Sequence, residues 1–339
     1  MIKKHIKNLL VKIKLFPEPY LPQNNLLTET AQVCSIKSFG NRNIDKIFYV
    51  IRQEGRGRGL FSIVASVLCH LDIAEEHGWI PIIDFQNFPN IYNETKPIND
   101  SMNSWEYYFE PVSEYKLDEV YLSRNVIFSD NGYPTGYDYS ITTEKKLYTV
   151  FYKHLKVKQD IVQEIDSFYR MHLEGNRVLG VHFRGQEMKT AAGHPFPPTK
   201  SQMAARIEKL VNDYKFQKVF VVSEDSEYVD FLQGKFRSIF ITTDHYRTHG
   251  ENAYMQYPRE NHIYNLGREI LVDAYLLSRC QGLIGCGSNV STFSRFCNND
   301  KFDVDERIDN GTNSSNFVVG QFLWSIKSML PSYFGGFKL

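Results

Sequence analysis

The sequence predicts an α/β fold in which two Rossmann-like domains face each other across a cleft. Short apolar runs rich in β-branched residues alternate with amphipathic stretches, the alternation occurs in each half of the chain, and several apolar runs end in polar side chains. The 339 residues are enough for about two domains. The predicted segments are a lead-in at 1–45, one Rossmann-like domain at 46–172, another at 173–310, and a C-terminal helix and tail at 311–339.

Composition and charge exclude several classes of protein. The chain has 39 Lys and Arg against 39 Asp and Glu, so no net charge draws it to nucleic acid. Its five cysteines are odd in number and include no Cys-x-x-Cys pair, which indicates a reducing compartment and argues against a structural zinc site. No run approaches the roughly 18 apolar residues of a membrane-spanning helix, and no signal peptide is evident. We therefore expect a cytoplasmic protein with no nucleic-acid partner and no metal.

The N-terminal segment, MIKKHIKNLLVKIKLF at 1–16, is basic and amphipathic. Its apolar residues fall at helical spacing and lie opposite most of its lysines. A helix of this kind can lie on an anionic membrane surface. Packing of the helix on the domain is the alternative. An anionic surface at the inner face of a membrane is therefore one of the expected partners.

The first half begins with a β-loop-α-β unit. The pattern predicts a strand at 46–51, a helix at about 61–77 and a second strand at 79–84. Residues 86–140 are rich in Asn, Tyr, Ser and Pro, which predicts mostly loops and one strand near 121–128. Helical patterning then resumes at about 144–169.

The loop GRGRGL, Gly55–Leu60, lies between the first strand and the first helix. Glycines at such a point let backbone amides approach an anion at the helix N-terminus. The dinucleotide fingerprint needs a third glycine where this chain has Leu60. An NAD(P)-dependent oxidoreductase therefore stays as an alternative, with Asp84 as its acidic residue. Arg56 and Arg58 favour an anionic or polyhydroxyl ligand.

The second half repeats the alternation of strands and helices. The predicted strands are at 178–184, 218–223, 238–242 and 282–285. The predicted helices are at about 199–213, 226–233, 267–280 and 290–297, followed by a final helix at about 317–329.

The strand VLGVHFR ends in a histidine and an arginine. Side chains alternate along a strand, so Gly180, His182 and Arg184 share one face. In open α/β sheets, ligands bind at the C-terminal ends of the strands, and a guanidinium there is suited to phosphate oxygens. The alternative is a core strand whose arginine forms a salt bridge.

Three polar residues, Ser223, Glu224 and Asp225, follow the next strand. At the C-terminal edge of the sheet they are suited to binding hydroxyls or a base edge. Capping of the following helix by Asp225 or Ser226 is the alternative.

The helix at 267–280 carries Asp273 at the margin of its apolar face. A buried carboxylate needs partners, which could be a backbone amide, an arginine, or the paired N–H donors of a guanine base. After the next strand, Ser288 and Asn289 open a helix. That position predicts an anion site, a simple N-cap, or both.

In their order, HFRGQE, the strand ending in SED, and REILVDAYLLSRCQGLIGCGSNVS resemble the GDP-fucose-dependent fucosyltransferase superfamily. This superfamily includes α1,6-, nodulation-factor, α1,2- and protein O-fucosyltransferases. The resemblance covers about 178–298. GRGRGL is similar to the glycine-rich loop of these enzymes, and WEYYFEP resembles segments of bacterial glycan-assembly proteins.

The resemblance implies a GT-B-like fold, inversion at the sugar carbon, and no required metal or cofactor. The donor would be GDP-fucose or a related nucleotide sugar. Arg184 would hold the β-phosphate of this donor, and His182 and Asp273 would read guanine or place the nucleotide. Ser288 and Asn289 would lie at the pyrophosphate of the donor. Ser223 would also contact the donor.

The chain also departs from the pattern of this superfamily. The second basic residue that often follows the arginine is replaced by Gly185, which follows Arg184. The acidic residue three positions after Arg184 is Glu187 rather than the commoner Asp. The glutamate that can serve as base aligns with Thr190. Glu224 and Asp225 occupy the paired acidic positions. We therefore take Glu187 as the first candidate for the general base and Asp225 as the second, with Arg184 as the third catalytic residue.

The first domain would then bind the acceptor, a glycan or lipid-linked oligosaccharide of surface polysaccharide or glycolipid assembly. Arg56 and Arg58 are candidates for that role, as are Trp105 and Tyr107, whose rings could stack on sugar faces. Core packing is the alternative for both aromatics. A non-catalytic glycan-binding protein on a decayed transferase scaffold is a further alternative for the whole chain.

Overall fold

The computed structural model describes residues 36–55, 57–134, 141–185 and 187–338, apart from the side chains of 141–145 and Glu187. The basic segment at 1–16 and Arg56 lie outside the described residues. The chain divides into two compact units. The first unit holds the described residues up to Glu164 together with Tyr257–Arg268, and the second unit holds Ile165–Gln256 and the described residues from Glu269 onward.

The first unit is built on a three-stranded parallel sheet in the order β2-β1-β3. The strands are β1 (Phe48–Arg52), β2 (Ile80–Ile83) and β3 (Val126–Asn131). The chain reaches β2 through α1 (Leu60–His77), which is buried along most of its length because its sequence is apolar on several sides. The short α2 (Leu117–Val120) precedes β3, and α3 (Ile141–His154) follows it.

Two helical segments lead out of this unit: α4 (Gln159–Phe168) and a π-helical turn at Tyr169–Leu173. The sequence predicted helical structure over about 144–169, and the structure has two separate helices there, α3 and α4. Lys158 donates its N–H to the carbonyl of Tyr108 in the break between them.

The second unit is built on a five-stranded parallel sheet in the order β6-β5-β4-β7-β8. The strands are β4 (Val178–His182), β5 (Lys218–Val222), β6 (Phe240–Ile241), β7 (Gly282–Gly285) and β8 (Val304–Arg307). The helices are α5 (Glu187–Thr190), α6 (Lys200–Tyr214), α7 (Ser226–Phe236), α8 (His262–Ser278), α9 (Asn289–Asn298) and α10 (Phe317–Met329). The first turns of α8, up to Arg268, are counted with the first unit. The prediction of an α/β fold with parallel sheets is confirmed.

The core of the second unit lies against β4 and β5. Every residue of β4 is buried, as expected for a central strand of a parallel sheet that is covered on both faces. Leu179 and Val181 pack with Val219 and Val221 in one apolar cluster. This packing fixes the C-terminal ends of β4 and β5, where His182 lies opposite Val222 in register.

The described cysteines are unpaired, and Cys69, Cys280 and Cys286 are buried. Among the residues that the structure describes, the helices are all too short or too polar to span a bilayer.

Candidate functional site

The end of β4 brings His182 and Arg184 to the C-terminal edge of the second sheet. His182 is 2% exposed, whereas Arg184 two residues later is partly exposed. Phe183 between them packs in the core, where its ring stacks on that of Tyr228 with centroids 4.0 Å apart. The buried Phe183 therefore fixes the backbone that presents Arg184.

The imidazole of His182 is held by a serine from α9. Its Nδ1 atom lies 3.0 Å from the hydroxyl oxygen of Ser291, which is fully buried. Burial, aided by the Arg184 and Arg295 charges and opposed by Asp273, lowers the pKa of His182 to about 3. His182 is therefore neutral near pH 7, and both Arg184 and Asp273 are close enough to influence it electrostatically.

Sequence reasoning missed Ser291. A serine in the first turn of a helix reads as a surface residue, and only the meeting of this helix face with β4 reveals its role. The adjoining strand leaves little room: a Cβ atom at Gly285 would lie 2.9 Å from the Ser291 hydroxyl.

Gly185 explains why no second basic side chain follows Arg184. Its N–H donates to Oε1 of Glu224 at 2.8 Å. A Cβ atom at this position would come within 3.0 Å of both Glu224 Oε1 and Asp225 Cβ. The exposed Glu224 thus accepts a backbone hydrogen bond at position 185 and occupies the space that a side chain there would need.

Asp225 is the N-cap of α7, as one alternative predicted. Its Oδ1 atom accepts the N–H of Glu227 at 2.9 Å, and its own N–H donates to Ser223 Oγ at 3.1 Å. The side chain is 2% exposed, and within the described residues its Oδ2 atom has no hydrogen-bond partner. A buried carboxylate oxygen without a partner is costly, so Oδ2 is suited to receive a ligand or a proton.

Lys189 lies near this carboxylate. Its ammonium lies 4.5 Å from the ring centroid of Trp324 and 5.3 Å from that of Tyr228. Burial lowers its pKa, and the Asp225 and Glu227 charges oppose that shift. Sequence reasoning did not single out Lys189, because lysines on short helices are usually solvated.

Asp273 on α8 is bound by the segment that follows β6. Its Oδ1 atom accepts the hydroxyl of Thr243 at 2.9 Å and lies 3.0 Å from Nδ1 of His245. The partners are therefore a hydroxyl and an imidazole rather than a backbone amide or an arginine. Because Thr243 and His245 both contact Oδ1, they fix the orientation of the Asp273 carboxylate, which is 6% exposed. Both of these contacts are made to Oδ1 rather than to Oδ2.

Ser288 is the N-cap of α9, where its Oγ accepts the N–H of Val290 at 3.2 Å. The capping alternative is confirmed at this position. Asn289 is exposed in the first turn. The remaining N–H groups of that turn can donate hydrogen bonds to an anion, since the cap satisfies only some of them.

A cavity of about 460 Å³ lies between α7 and the segment after β6. Arg247 crosses its wall and donates to Thr242 Oγ1 at 2.7 Å and to the carbonyl of Thr243 at 2.6 Å. The other lining residues are mostly polar: Ser226, Val229, Asp230, Gln233 and Asp244. Since Thr243 also binds Asp273, this cavity adjoins the predicted base-reading carboxylate.

Two of the predicted acceptor residues, Trp105 and Tyr107, are packed in the core of the first unit. Trp105 is 3% exposed and Tyr107 is fully buried, so the core-packing alternative describes both. Arg58 stacks its guanidinium over Tyr133 at 4.9 Å. Glu187 is the first residue of α5.

The dinucleotide alternative loses its acidic residue. Asp84 is fully buried, and its carboxylate accepts hydrogen bonds from the N–H and the side-chain amide of Asn87 and from the hydroxyl of Tyr121. A carboxylate committed in this way is not available to a ribose hydroxyl. In the part of the chain that the structure describes, no cluster of His, Cys, Asp and Glu is arranged to hold a metal ion.

Comparison with known proteins shows that the residues at this edge of the sheet match one family. Residues 140–311 match the family model "Nodulation protein Z (NodZ)". Nodulation protein Z of Azorhizobium caulinodans is 28% identical over 155 residues, which are 43% of this chain and 45% of that protein. The chain thus aligns with about half the length of this curated relative.

Solved structures are also similar. The crystal structure of the NodZ α-1,6-fucosyltransferase co-crystallised with GDP is 16% identical, covers 75% of this chain and 92% of its own, and superposes with a TM-score of 0.49. POFUT1 in complex with GDP is 12% identical, covers 78% and 99% respectively, and has a TM-score of 0.43.

Proposed function

Because this chain belongs to the nodulation protein Z (NodZ) family, we propose that it transfers fucose from GDP-fucose to a hydroxyl of a glycan acceptor. The observation that carries the proposal is the position of Arg184. It stands at the C-terminal end of the central strand, beside the neutral His182 and within the residues that match the family. The solved NodZ is described as an α-1,6-fucosyltransferase, and it was also soaked with GDP-fucose, the donor proposed for this chain.

Transfer of a sugar from a nucleotide passes through an oxocarbenium-like transition state, and negative charge grows on the departing diphosphate. A guanidinium that is already positioned stabilises that charge without reorganisation. Arg184 is partly exposed on an otherwise buried strand end, so its position is fixed by the core while its head can reach a ligand. The first turn of α9, capped by Ser288, would add backbone N–H donors.

Asp273 would read the base. Thr243 and His245 hold Oδ1, and Oδ2 would accept an N–H of guanine. His182 would stay neutral beside Arg184, which avoids a second buried positive charge next to the guanidinium.

Asp225 is the better supported general base. Its Oδ2 atom is buried without a partner among the described residues, and Oδ1 is fixed by the start of α7. It would accept the proton of the acceptor hydroxyl as that oxygen attacks the sugar carbon. Glu187 stays the other candidate by its proximity to Arg184 in the sequence.

Several finer points belong to the same proposal. They are inversion at the sugar carbon, a metal-independent reaction, a GT-B-like arrangement of the two units, a role in surface polysaccharide or glycolipid assembly, and a location at the inner face of the membrane. Arg58 is the described residue that remains a candidate for the acceptor.

The test is transfer from GDP-fucose by Arg184→Ala. Loss of one such donor lowers turnover by about 10²–10³-fold, whereas Arg177→Ala, which removes a surface pair with Asp303, should leave turnover unchanged. Near-normal turnover of Arg184→Ala would overturn the proposal. Thermal shifts separate the alternatives, because GDP but not NAD should stabilise the protein. Stabilisation by NAD would favour an oxidoreductase.

A further inference from the structure

The C-terminal part of the second unit exposes an unusual amount of apolar surface. Among the described residues, eight large apolar side chains from α10 and the turn after it are exposed: Phe317, Val318, Phe322, Ile326, Met329, Leu330, Tyr333 and Phe334. We call this set the C-terminal apolar face. Tyr333 reaches 88% exposure and Phe334 71%. Contiguous apolar surface of this kind marks an interaction site in soluble proteins.

The helix geometry gathers these side chains on one side. Val318, Phe322, Ile326 and Met329 follow the spacing i, i+4, i+8 and i+11, which forms one stripe along α10. The other side of α10 is anchored. Trp324 Nε1 donates to the carbonyl of Pro197 at 2.9 Å, so the helix has a fixed inner side and a stripe that faces outward.

The tail is folded rather than loose. The N–H of Phe337 donates to the carbonyl of Lys327 at 2.7 Å, and Lys338 pairs with Pro331 in a parallel bridge. Phe337 is buried against Phe196. The turn at Ser332–Phe334 therefore holds two exposed aromatic rings in place at the end of α10.

The charge of this segment indicates the partner. Residues 310–338 contain Lys327 and Lys338 and no Asp or Glu. Of these two, Lys327 donates its ammonium to the carbonyl of Gly335, whereas Lys338 is exposed. A symmetric dimer through this face would bring two copies of the same positive charge together with no carboxylate from the segment to pair them, whereas anionic lipid headgroups complement this charge. Exposed Phe and Tyr rings are suited to the boundary between headgroups and acyl chains.

We infer that the C-terminal apolar face docks on an anionic lipid bilayer, with α10 lying in the plane of the surface. At 13 residues, α10 has the length of an interfacial helix rather than of a spanning one, which needs about 20. This inference does not rest on the proposed chemistry.

The experiment is sedimentation of the full chain with phosphatidylcholine vesicles that contain or lack phosphatidylglycerol. Phe322→Glu/Ile326→Glu changes two exposed side chains and should lower partition onto anionic vesicles about tenfold or more. The matched control is Met255→Glu, which changes a 79% exposed apolar residue elsewhere in the second unit and should not alter partition. Lys338→Gln should weaken binding about fivefold on anionic vesicles only.

Thermal unfolding and GDP binding should be the same in all these variants, because every changed side chain is exposed. Undiminished binding of the double variant would overturn the inference, since the contact would then lie elsewhere in the chain. A wild-type dimer in light scattering that the double variant abolishes, together with no vesicle binding, would assign the face to a second copy instead.

Discussion

The Nδ1 atom of His182 lies 3.0 Å from the hydroxyl of Ser291. This contact joins the end of β4 to the first turn of α9, the two elements that are proposed to hold the donor diphosphate. The buried hydroxyl of Ser291 therefore contributes to the position of α9 relative to Arg184.

Ser291→Ala should weaken GDP binding about fivefold, because it removes a hydrogen bond of about 1 kcal/mol that aligns His182 with α9. Isothermal titration calorimetry measures the effect. Ser294→Ala is the matched control, since Ser294 is equally buried on α9 but donates to the carbonyls of Ala274 and Val290. It should lose stability and keep its GDP affinity. Equal affinities for the two variants would contradict a positioning role.

Asp225→Asn and Asp225→Ala should separate the two roles of Asp225. Asparagine caps helices as well as aspartate does, whereas alanine loses the cap at a cost of about 1 kcal/mol. Denaturant unfolding should therefore show loss of stability in the alanine variant only. Turnover should fall about 10²–10⁴-fold in both, since neither can accept a proton. A fully active asparagine variant would transfer the role of base to Glu187.

Gly185→Ala should lower the free energy of unfolding by about 1–3 kcal/mol, because its Cβ atom would crowd Glu224 and Asp225. Denaturant unfolding provides the measurement. Gly234→Ala on α7 is the control: apart from the neighbouring backbone of its own helix, no described residue lies within 4 Å of its added Cβ, and alanine should stabilise that helix by about 0.5–1 kcal/mol. If both variants are stabilised, the crowding at Gly185 is not real.

Stability should fall as the pH drops from about 6.5 to about 4, partly because of His70 in the first unit. Its Nε2–H donates to the carbonyl of Gly132 and its Nδ1 accepts the hydroxyl of Tyr49. Burial lowers the pKa of His70 from 6.5 to about 4. In this window the unfolded chain binds a proton that the folded one does not, which removes about 3 kcal/mol of stability.

Urea unfolding of wild type and His70→Gln at several pH values measures that contribution. The variant should start less stable at pH 7 and show a shallower decline below pH 6.5. Parallel curves for the two proteins would show that His70 does not contribute to the pH dependence.

The strands around the site could be predicted from the sequence because they are buried on both faces. β4, β5 and β7 are apolar and β-branched, and they lie where the pattern placed them. β8 was missed, since Val304–Arg307 is an edge strand with three charged residues among its four. β6 was predicted at 238–242 but pairs over two residues only.

The residues at strand ends were likewise predictable, because parallel strands present their C-terminal ends at one edge. Their partners were not. Ser291, Thr243 and His245 reach the site only because a particular face of a helix or loop meets that edge. The burial of Trp105 and Tyr107 shows the converse, since an aromatic cluster has the same appearance in sequence whether it packs inside or binds a ligand.

The strand order β6-β5-β4-β7-β8 has a consequence for how this protein could diversify. The chain moves outward from β4 to β6 and then returns to the other flank of β4, so the order reverses between β4 and β7. Loops leaving a sheet at such a topological switch point separate and leave a crevice. His182 and Arg184 on one side and Ser288 on the other border that crevice, and their strands stay in place whatever the loops become. Changes of the general base or of the acceptor can therefore accumulate in the loops without disturbing the sheet. The glycine at position 185, where related proteins often have a basic residue, is one such change.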